Sequence, residues 1–465
     1  MEVALVQLKE KRGLLQKPID AHRALISPMR LIPQDILLEI FLSCLPSKHN
    51  ALMDPNEAPL LLGRICRHWR SVAYSAPMLW SSIHIPPLDH LSTPPNILTR
   101  LERFIGTWLE RSATCSLSVS LFDFTNSYPI LEENPLILEL FAVSRRLRSL
   151  SLAGDADLMR PLLQLGPEDL PLLKRIRIRT LAGQTSSTNI LQVPALEDVA
   201  LCTTVIGDPL ALPLPWSQLT NLRLDCYRRW TGQGVEGGLD FDAASTVLRK
   251  CPNLERCEIR ITKPSEPLGL PSVDLPRLHT LIFTGWEFHF PKWSSDLVAP
   301  NLRALQIGDV LPDTELRTHA SLRADIDPNR FVSSSLVELL QSFPAISHLR
   351  LSSDAYPPHP VALDNKFMAL FCPPHNLCPM MAEIDLVAPS AGFSDAAALA
   401  FIKARMTMPT SLRRFQAQFC RPMEFDIMPE LQSFISDGLR VDLKYAPATW
   451  RFGVRDGLDG PEAFY

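Results

Sequence analysis

The sequence lacks any uninterrupted apolar run near the roughly 18 residues that a membrane-spanning helix needs. Its first dozen residues carry several charges and no long apolar stretch, so we expect no secretory signal. It also lacks a basic excess, because 46 Lys and Arg residues stand against 50 Asp and Glu residues, for a net charge of −4. These absences predict a soluble protein of the cytoplasm or nucleus, with neither a membrane nor nucleic acid among its partners.

Motifs that carry enzyme chemistry are also missing. We find no nucleophile elbow, no phosphate-binding loop and no His-Glu-x-x-His metal motif. The segment 232–237 has the glycine spacing of a dinucleotide fingerprint, but no strand comes directly before it and no helix begins at its glycines. Cys372 and Cys378 flank His375, yet their five-residue gap is not a usual zinc spacing. We therefore predict no enzyme activity, no cofactor and no metal.

Proline is abundant where glycine is scarce, with 42 residues against 19. So many prolines do not fit inside long helices or central strands, and they predict many short elements separated by extended loops. The ten cysteines form no dense framework and several lie in apolar segments, where a reduced thiol acts as a small hydrophobic side chain. A chain of 465 residues is long enough for two or three domains or for one elongated repeat array.

A short apolar pattern repeats along most of the chain. Its second apolar residue comes three positions after the first, and its third comes two positions later. Copies begin at residues 147, 173, 196, 219, 254, 278, 302, 346, 381 and 412. Most intervals lie near the roughly 20–29-residue period of leucine-rich repeats. Each copy predicts a short strand whose apolar face is buried only when copies stack on one another.

Helical patterns interrupt the longer intervals, at 243–250 and 331–341, and residues 96–121 predict an opening repeat with a helix before a strand at 117–121. No asparagine recurs after the third apolar position, so the array departs from strict leucine-rich-repeat geometry. We predict an α/β fold in which residues 86–450 form an irregular leucine-rich-repeat-like solenoid, followed by a tail at 451–465.

Residues 31–45 predict a short helix before the repeats. Pro33 suits its first turn, where the missing N–H would be unpaired anyway. Asp35 complements the positive end of the helix dipole. Apolar residues recur at helical spacing, at Ile36, Leu37, Ile40, Phe41 and Cys44. After a polar loop at 46–57, a second helical stretch extends through residues 60–73.

These blocks together resemble an F-box, and the set of fungal F-box proteins in particular. The family's Leu-Pro opening and apolar helix are matched by Ile32-Pro33, Ile36-Leu37, Ile40-Phe41 and Leu45. Its Val-Cys-basic-x-Trp-basic helix is matched by Ile65-Cys66-Arg67-His68-Trp69-Arg70, and its usual ending by Ser75-Ala76-Pro77-Met78-Leu79-Trp80. Residues 22–30 resemble the family's lead-in. Ile32 replaces the usual leucine, and the 46–57 loop is lengthened.

The resemblance implies a docking function. An F-box binds a small Skp-type adaptor that links it to a cullin scaffold, and the C-terminal repeats hold a protein substrate. The chain would then be the substrate receptor of a cullin-type (SCF) ubiquitin ligase, with a small all-α module at 31–85 after an N-terminal helix or frayed tail at 1–30. The implied adaptor-binding residues are Pro33, Ile36, Leu37, Ile40, Phe41, Leu45, Ile65, Cys66 and Trp69.

Two alternatives stay open. Each of those residues also fits plain helix-core packing, and the whole segment also fits a cap on a repeat scaffold that binds proteins without catalysis, because terminal repeats need caps.

Arginines between the apolar positions predict a substrate surface. The candidates are Arg175, Arg177, Arg179, Arg223 and Tyr227. Parallel strands lie about 4.8 Å apart, so arginines on nearby strands can form one basic patch that suits an acidic or phosphorylated peptide. Asp198 and Glu258 share that face and weaken the patch. The alternative is a solvated strand face with unrelated charges.

Overall fold

The computed structural model describes residues 9, 11–13, 16, 18, 32–86, 95–123, 135–154, 156–180, 188–203, 209–226, 239–261, 272–284, 297–308, 321–328, 331, 333–352, 363–387, 392–419 and 421–445. Tyr227, the 232–237 segment and the tail predicted at 451–465 lie outside the described residues. The chain divides into two compact units, Met1–Leu173 and Lys174–Tyr465. The boundary predicted at residue 85 therefore falls inside the first unit. Of its first thirty residues, the described ones are helical.

The first unit combines helices with a parallel sheet. Its helices are α1 (Gln34–Ser43), α2 (Leu62–Ile65), α3 (Arg67–Ser75), α4 (Pro95–Arg111), α5 (Pro135–Ala142) and α6 (Ala156–Leu163), with short 3-10 turns at Pro77–Trp80 and Ser144–Arg146. Its strands are β1 (Ser82–Ile85), β2 (Leu117–Asp123) and β3 (Leu147–Gly154), paired in parallel in that order. The helix and strand predicted within 96–121 are confirmed as α4 and β2. The prediction of an all-α module is not confirmed, because β1 ends that segment.

The second unit is built on a large parallel sheet. Its strands, in sheet order, are β4 (Arg175–Thr180), β5 (Asp198–Thr203), β6 (Asn221–Cys226), β7 (Arg256–Arg260), β9 (Thr280–Thr284), β11 (Ala304–Ile307), β12 (Leu322–Ile326), β13 (Ile346–Leu351), β14 (Glu383–Leu386), β15 (Arg414–Phe419) and β16 (Arg440–Tyr445). Two short strands, β8 (Val273–Asp274) and β10 (Leu297–Val298), pair separately. The protein is therefore a mixed α/β structure, as predicted.

Helices and short turns occupy the longer connections of the second unit. The helices are α7 (Phe241–Lys250), α8 (Ser333–Ser342), α9 (Asn365–Ala369), α10 (Asp395–Met406) and α11 (Met428–Ser436), and the 3-10 turns are Asn189–Gln192, Pro209–Ala211 and Trp216–Gln218. Asp240 begins α7, because its carboxylate accepts a hydrogen bond from the Ala243 N–H at 2.7 Å. Helices α7 and α8 confirm the two helical inserts predicted from the sequence.

All ten apolar repeats coincide with strands, namely β3 to β7, β9, β11 and β13 to β15. The repeated apolar positions form the core, and Leu150, Leu152, Ile176 and Ile178 are no more than 1% exposed. Full burial of such a side chain contributes about 1.5–3 kcal/mol. Because the residues between them point to the other side of the sheet, polar and charged groups collect there.

Amide side chains link successive turns in the second unit. Gln218 donates to the carbonyl oxygen of Pro194, and Asn253 donates to that of Ser217 at 2.7 Å. Asn301 donates in the same way to a carbonyl of the turn before it, at 2.7 Å. Each of these amides comes directly before the first apolar residue of a repeat. They connect neighbouring repeats from the position before the first apolar residue, and not from the position after the third apolar residue, where no asparagine recurs.

Candidate functional site

The apolar face of α1 is split between core and surface. Leu37 and Phe41 are completely buried, while Ile36 is 51% exposed. Trp69 on α3 is partly buried, and its ring centroid lies 4.9 Å from that of Phe41. Leu37, Phe41 and much of Trp69 therefore hold the helices together, so they belong to the core beneath any docking surface.

Cys66 has a local structural role. Its backbone is extended, and its Sγ accepts a hydrogen bond from the Trp69 N–H at 3.4 Å, so it begins α3 as an N-cap. The side chain of Arg70 then reaches back to α2, where its Nε donates to the Gly63 carbonyl at 2.7 Å. A Cβ at Gly63 would stand 2.9 Å from the Tyr74 ring, so a larger residue there would have to displace that ring.

Trp80 anchors the end of the helical segment. It is completely buried, and its indole N–H donates to the Ala73 carbonyl at 2.8 Å. Its ring meets the Trp108 ring of α4 edge-on, with centroids 4.8 Å apart. The guanidinium of Arg111 lies 4.7 Å from the Trp80 ring centroid and 4.1 Å from that of Tyr74. The segment therefore packs firmly on the next helix of the first unit.

The remaining candidates lie at the surface. Ile65 is 55% exposed and Pro33 is exposed, whereas Ile40 and Leu45 are partly buried. Of the twelve large apolar side chains that are exposed among the described residues, five lie within 32–80. These five are Ile36, Leu61, Ile65, Tyr74 and Met78, and we call them the exposed apolar set. Sequence reasoning did not single out Leu61 and Met78 as surface residues. Whether such a side chain faces the core or the solvent depends on how the helices pack.

The lengthened 46–57 loop covers one side of β1. The Ala51 carbonyl accepts a hydrogen bond from the His84 N–H at 2.8 Å, and the Ala51 N–H donates to the Ser82 Oγ at 3.0 Å. The Asn50 side chain accepts from Ser82 Oγ and donates to Ser120 Oγ, both at 3.1 Å. This loop therefore occupies backbone and side-chain groups that β1 would otherwise present to solvent.

Arg175, Arg177 and Arg179 are all exposed on the same side of β4. In the sheet register, Arg177 lies opposite Ala200 of β5, and Ala200 lies opposite Arg223 of β6. The structure therefore places three of the five predicted substrate-binding residues on β4 and a fourth, Arg223, on β6, with β5 between the two strands. The fifth, Tyr227, lies outside the described residues.

Arg223 is engaged by acidic neighbours on its own strand and on β7. Its guanidinium forms ion pairs with Asp225 and Glu258, each with an N–O distance of 3.2 Å. Arg260 approaches Asp225 at 3.7 Å, and Arg256 approaches Glu258 at 3.9 Å. Although burial lowers the pKa of Arg223, the charge of Glu258 and the contacts with Asp225 outweigh it and raise that pKa. This network satisfies its charges internally.

Ser347, His348 and Glu383 lie in a row that resembles a nucleophilic triad in residue type. The Ser347 Oγ lies 2.7 Å from Nδ1 of His348, whose Nε2 lies 3.4 Å from Glu383. The serine hydroxyl also lies 3.1 Å from the Leu322 carbonyl, which can only accept a hydrogen bond. The Leu322 carbonyl therefore competes with the imidazole for the single proton of the serine hydroxyl.

The Cys372–Cys378 segment has no metal geometry among its described residues. His375 is exposed, while Cys378 is buried with its Sγ 3.9 Å from the Leu340 carbonyl. Burial raises the pKa of the Cys378 thiol to about 12, which disfavours the thiolate that a metal would need. Across the described part of the chain, no group of His, Cys, Asp and Glu side chains is arranged to hold a metal ion.

Within the described ranges, no helix combines the length and the apolar character that crossing a membrane requires. Comparison with known protein families gave no match to any family model. Comparison with curated proteins likewise gave no match.

Proposed function

We propose that this protein is the substrate receptor of a cullin-type ubiquitin ligase, which binds a Skp-type adaptor through residues 31–85 and a protein substrate through the repeats. One observation carries the proposal. Ile36 and Ile65, both in the motif blocks that resemble an F-box, each expose more than half of their side chains. Their motif neighbours Leu37 and Phe41 are completely buried. The motif thus supplies a core and an apolar surface above it.

The energetics favour a partner at this surface. Burying one large aliphatic side chain contributes about 1.5–3 kcal/mol, so a partner that covers Ile36 and Ile65 would gain binding free energy from both. Apolar residues clustered in one short segment are typical of protein interaction sites. Trp69, another of the adaptor-binding residues that the resemblance implies, is a poorer anchor because its ring already packs on Phe41.

The second unit is proposed to be an irregular leucine-rich-repeat-like solenoid. Its parallel strands follow one another in chain order, and each repeat contributes one strand to the sheet. The amides of Gln218, Asn253 and Asn301 support stacking of successive turns. Such stacks present a long polar strand face, which suits the recognition of protein segments.

Adaptor binding tests the proposal. The full chain is co-expressed with a Skp-type adaptor and purified through a tag on the chain. The Ile36→Asp/Ile65→Asp double variant is expected to lose the adaptor, because both charges would have to be desolvated at the interface. Leu138→Asp is the matched control, since Leu138 is 53% exposed on α5 of the same unit.

The result contradicts the proposal if the double variant retains the adaptor. Circular dichroism and thermal melting establish that both variants remain folded, as their exposed positions predict.

A second function is a repeat scaffold that the helical segment caps without binding an adaptor. The hydrogen bonds from Asn50 and Ala51 to β1 and β2 favour it, because they seal the start of the sheet. A folded wild-type chain that never captures the adaptor supports the scaffold and rejects the receptor.

A further inference from the structure

The solvent side of β4 differs in charge from the three strands that follow it. Its three outward side chains are Arg175, Arg177 and Arg179, with no acidic residue anywhere on the strand. The outward positions of β5, β6 and β7 carry Asp198, Arg223, Asp225, Arg256, Glu258 and Arg260. These are three acids and three bases, so they cancel. The positive charge of this part of the sheet is therefore concentrated on β4.

The neighbours of the β4 arginines divide them into two ends. Arg175 lies opposite Asp198, and the charges of Arg177 and Arg175 both lower the pKa of that carboxyl against the raising effect of burial. Arg177 lies opposite Ala200, and Arg179 lies opposite Cys202. The carboxylate of Asp198 therefore opposes an anion beside Arg175 and Arg177, against the attraction of the three guanidinium groups of the strand.

The spacing of the three arginines fits an extended chain. Alternate residues of a strand are about 6.6 Å apart along its axis. A partner segment in an extended conformation places every second side chain at nearly the same interval. Guanidinium groups bind carboxylate and phosphate oxygens through paired hydrogen bonds, so a row of them recognises a matching row of anions.

We propose that the β4 row, Arg175, Arg177 and Arg179, binds an extended acidic segment of a partner protein that carries carboxylate or phosphate groups at alternate residues. This inference rests on the proposed function and gives the chemical class of its substrate. Asp198, which lies opposite Arg175, weakens the binding of an anionic group beside it.

The surroundings favour a protein segment over nucleic acid. A nucleic-acid strand carries a phosphate on every nucleotide and gains affinity from many successive phosphate contacts. Across the sheet from β4, a longer polyanion would meet Asp198, Asp225 and Glu258. A short acidic segment that follows β4 meets Asp198 but avoids Asp225 and Glu258.

The test measures fluorescence anisotropy with the full chain and four labelled probes. Two are short peptides with phosphoserine or glutamate at three alternate positions separated by glycine. The third is the same peptide with unmodified serine, and the fourth is a single-stranded oligonucleotide. We expect both anionic peptides to bind and the serine peptide not to bind. Stronger binding of the phosphoserine peptide would identify phosphate as the preferred group, and equal binding would identify acidic side chains.

Substitutions locate the binding surface. The Arg175→Gln/Arg177→Gln/Arg179→Gln variant is expected to weaken binding about tenfold or more, since each charge-assisted contact is stronger than a neutral one. The control Arg413→Gln/Arg414→Gln/Arg440→Gln removes the same charge from exposed positions near β15 and β16, and we expect it to leave binding unchanged.

A further substitution, Asp198→Asn, should raise the peptide affinity that the triple arginine variant lowers. It removes the carboxylate beside Arg175 and should tighten peptide binding two- to threefold, by relief of like-charge repulsion of about 0.5 kcal/mol. A purely structural role of Asp198 would not produce tighter binding.

Two results overturn the inference. One is equal peptide affinity in the β4 triple variant and the wild type, and the other is an oligonucleotide that binds more tightly than both peptides and is released by the same variant. The β4 triple variant should still capture the adaptor. Peptide binding without adaptor binding would therefore reject the proposed receptor function while the acidic-segment site stands.

Discussion

The helical segment at 32–80 and the sheet of the second unit use apolar residues in opposite ways. In the sheet, Ile176 and Ile178 are buried, and the arginines that alternate with them face solvent. In the helical segment, Leu37 is completely buried, while its neighbour Ile36 remains half exposed. The sheet thus separates apolar from charged residues by strand alternation, and the helices leave apolar groups on both sides.

This difference indicates which kind of interaction each region can contribute to the binding of a partner. A sheet face covered by charges binds through complementary charge, and most of its charges already cancel on neighbouring strands. A partner that covers the exposed apolar set would gain binding free energy through desolvation, which needs no charged group. We therefore expect changes in the helical segment to affect adaptor capture and changes on β4 to affect substrate capture, with little effect of either on the other.

The largest stability effect is expected at the far end of the sheet, where a buried carboxylate breaks the separation of apolar and charged groups. Asp395 is completely buried, and its carboxylate accepts hydrogen bonds from Arg421 at 2.6 Å and from the N–H groups of Glu424 at 2.7 Å and Phe425 at 3.2 Å. The Tyr445 hydroxyl of β16 also donates to it, at 3.1 Å. Asp395→Ala should lower the free energy of unfolding by about 3–5 kcal/mol, because it removes the closest carboxylate of Arg421 and leaves the N–H groups of Glu424 and Phe425 without their acceptor.

Urea denaturation measures that loss, with Asp437→Ala, at an exposed position, as the control. Burial alone would raise the pKa of Asp395, but the hydrogen bonds from Arg421, Glu424 and Phe425 outweigh it and lower that pKa. Its contribution is therefore present above the ordinary carboxyl pKa and is lost as the pH falls through the depressed value. Wild-type stability should fall in that acidic range more steeply than the stability of the alanine variant. A similar acid dependence in both proteins would contradict this account.

A pair of adjacent residues on α1 sharpens the comparison within the helical segment. Leu37→Ala removes a completely buried side chain and should cost about 2–5 kcal/mol in the free energy of unfolding. Ile36→Ala, at a position that is 51% exposed, should change that free energy by about 0.5 kcal/mol or less. Thermal or urea unfolding measures both. Similar losses at the two positions would show that Ile36 belongs to the core and not to a docking surface.

Strand positions were predictable because the apolar residues that form the buried face of a strand lie close together in the sequence. Ten repeats gave ten strands, but no repeat was assigned to β12 or β16. In the register of the sheet, Ala324 of β12 lies opposite Leu305 of β11, so alanine stands where that repeat has a leucine. Gly438, just before β16, has a φ of +104°, a conformation that favours glycine over a larger residue. These strands form because the neighbouring strands pair with them, which a single repeat does not reveal.

The candidate site was predictable in residue type but not in orientation. The motif identified Ile36, Ile65 and Trp69 together, yet only the first two are largely exposed. The orientation of Trp69 depends on how α3 packs on α1, and the cap formed by Cys66 depends on the turn between α2 and α3. Likewise, sequence placed Arg223 beside the β4 arginines, but its pairing with Glu258 comes from sheet register.

The smallest expected effect separates the balanced part of the strand face from β4. A double-mutant cycle with Arg223→Gln and Glu258→Gln should give a coupling free energy of about 0.2–1 kcal/mol, because the pair is partly exposed and salt screens it. The same cycle with Arg177→Gln and Glu258→Gln should give almost none, since the register puts Ala200 and Arg223 between them. Urea unfolding at low and high salt measures both cycles. Equal coupling free energies in the two cycles would mean that Arg177 of β4 also interacts with Glu258. The β4 arginines would then have less charge available for an acidic partner.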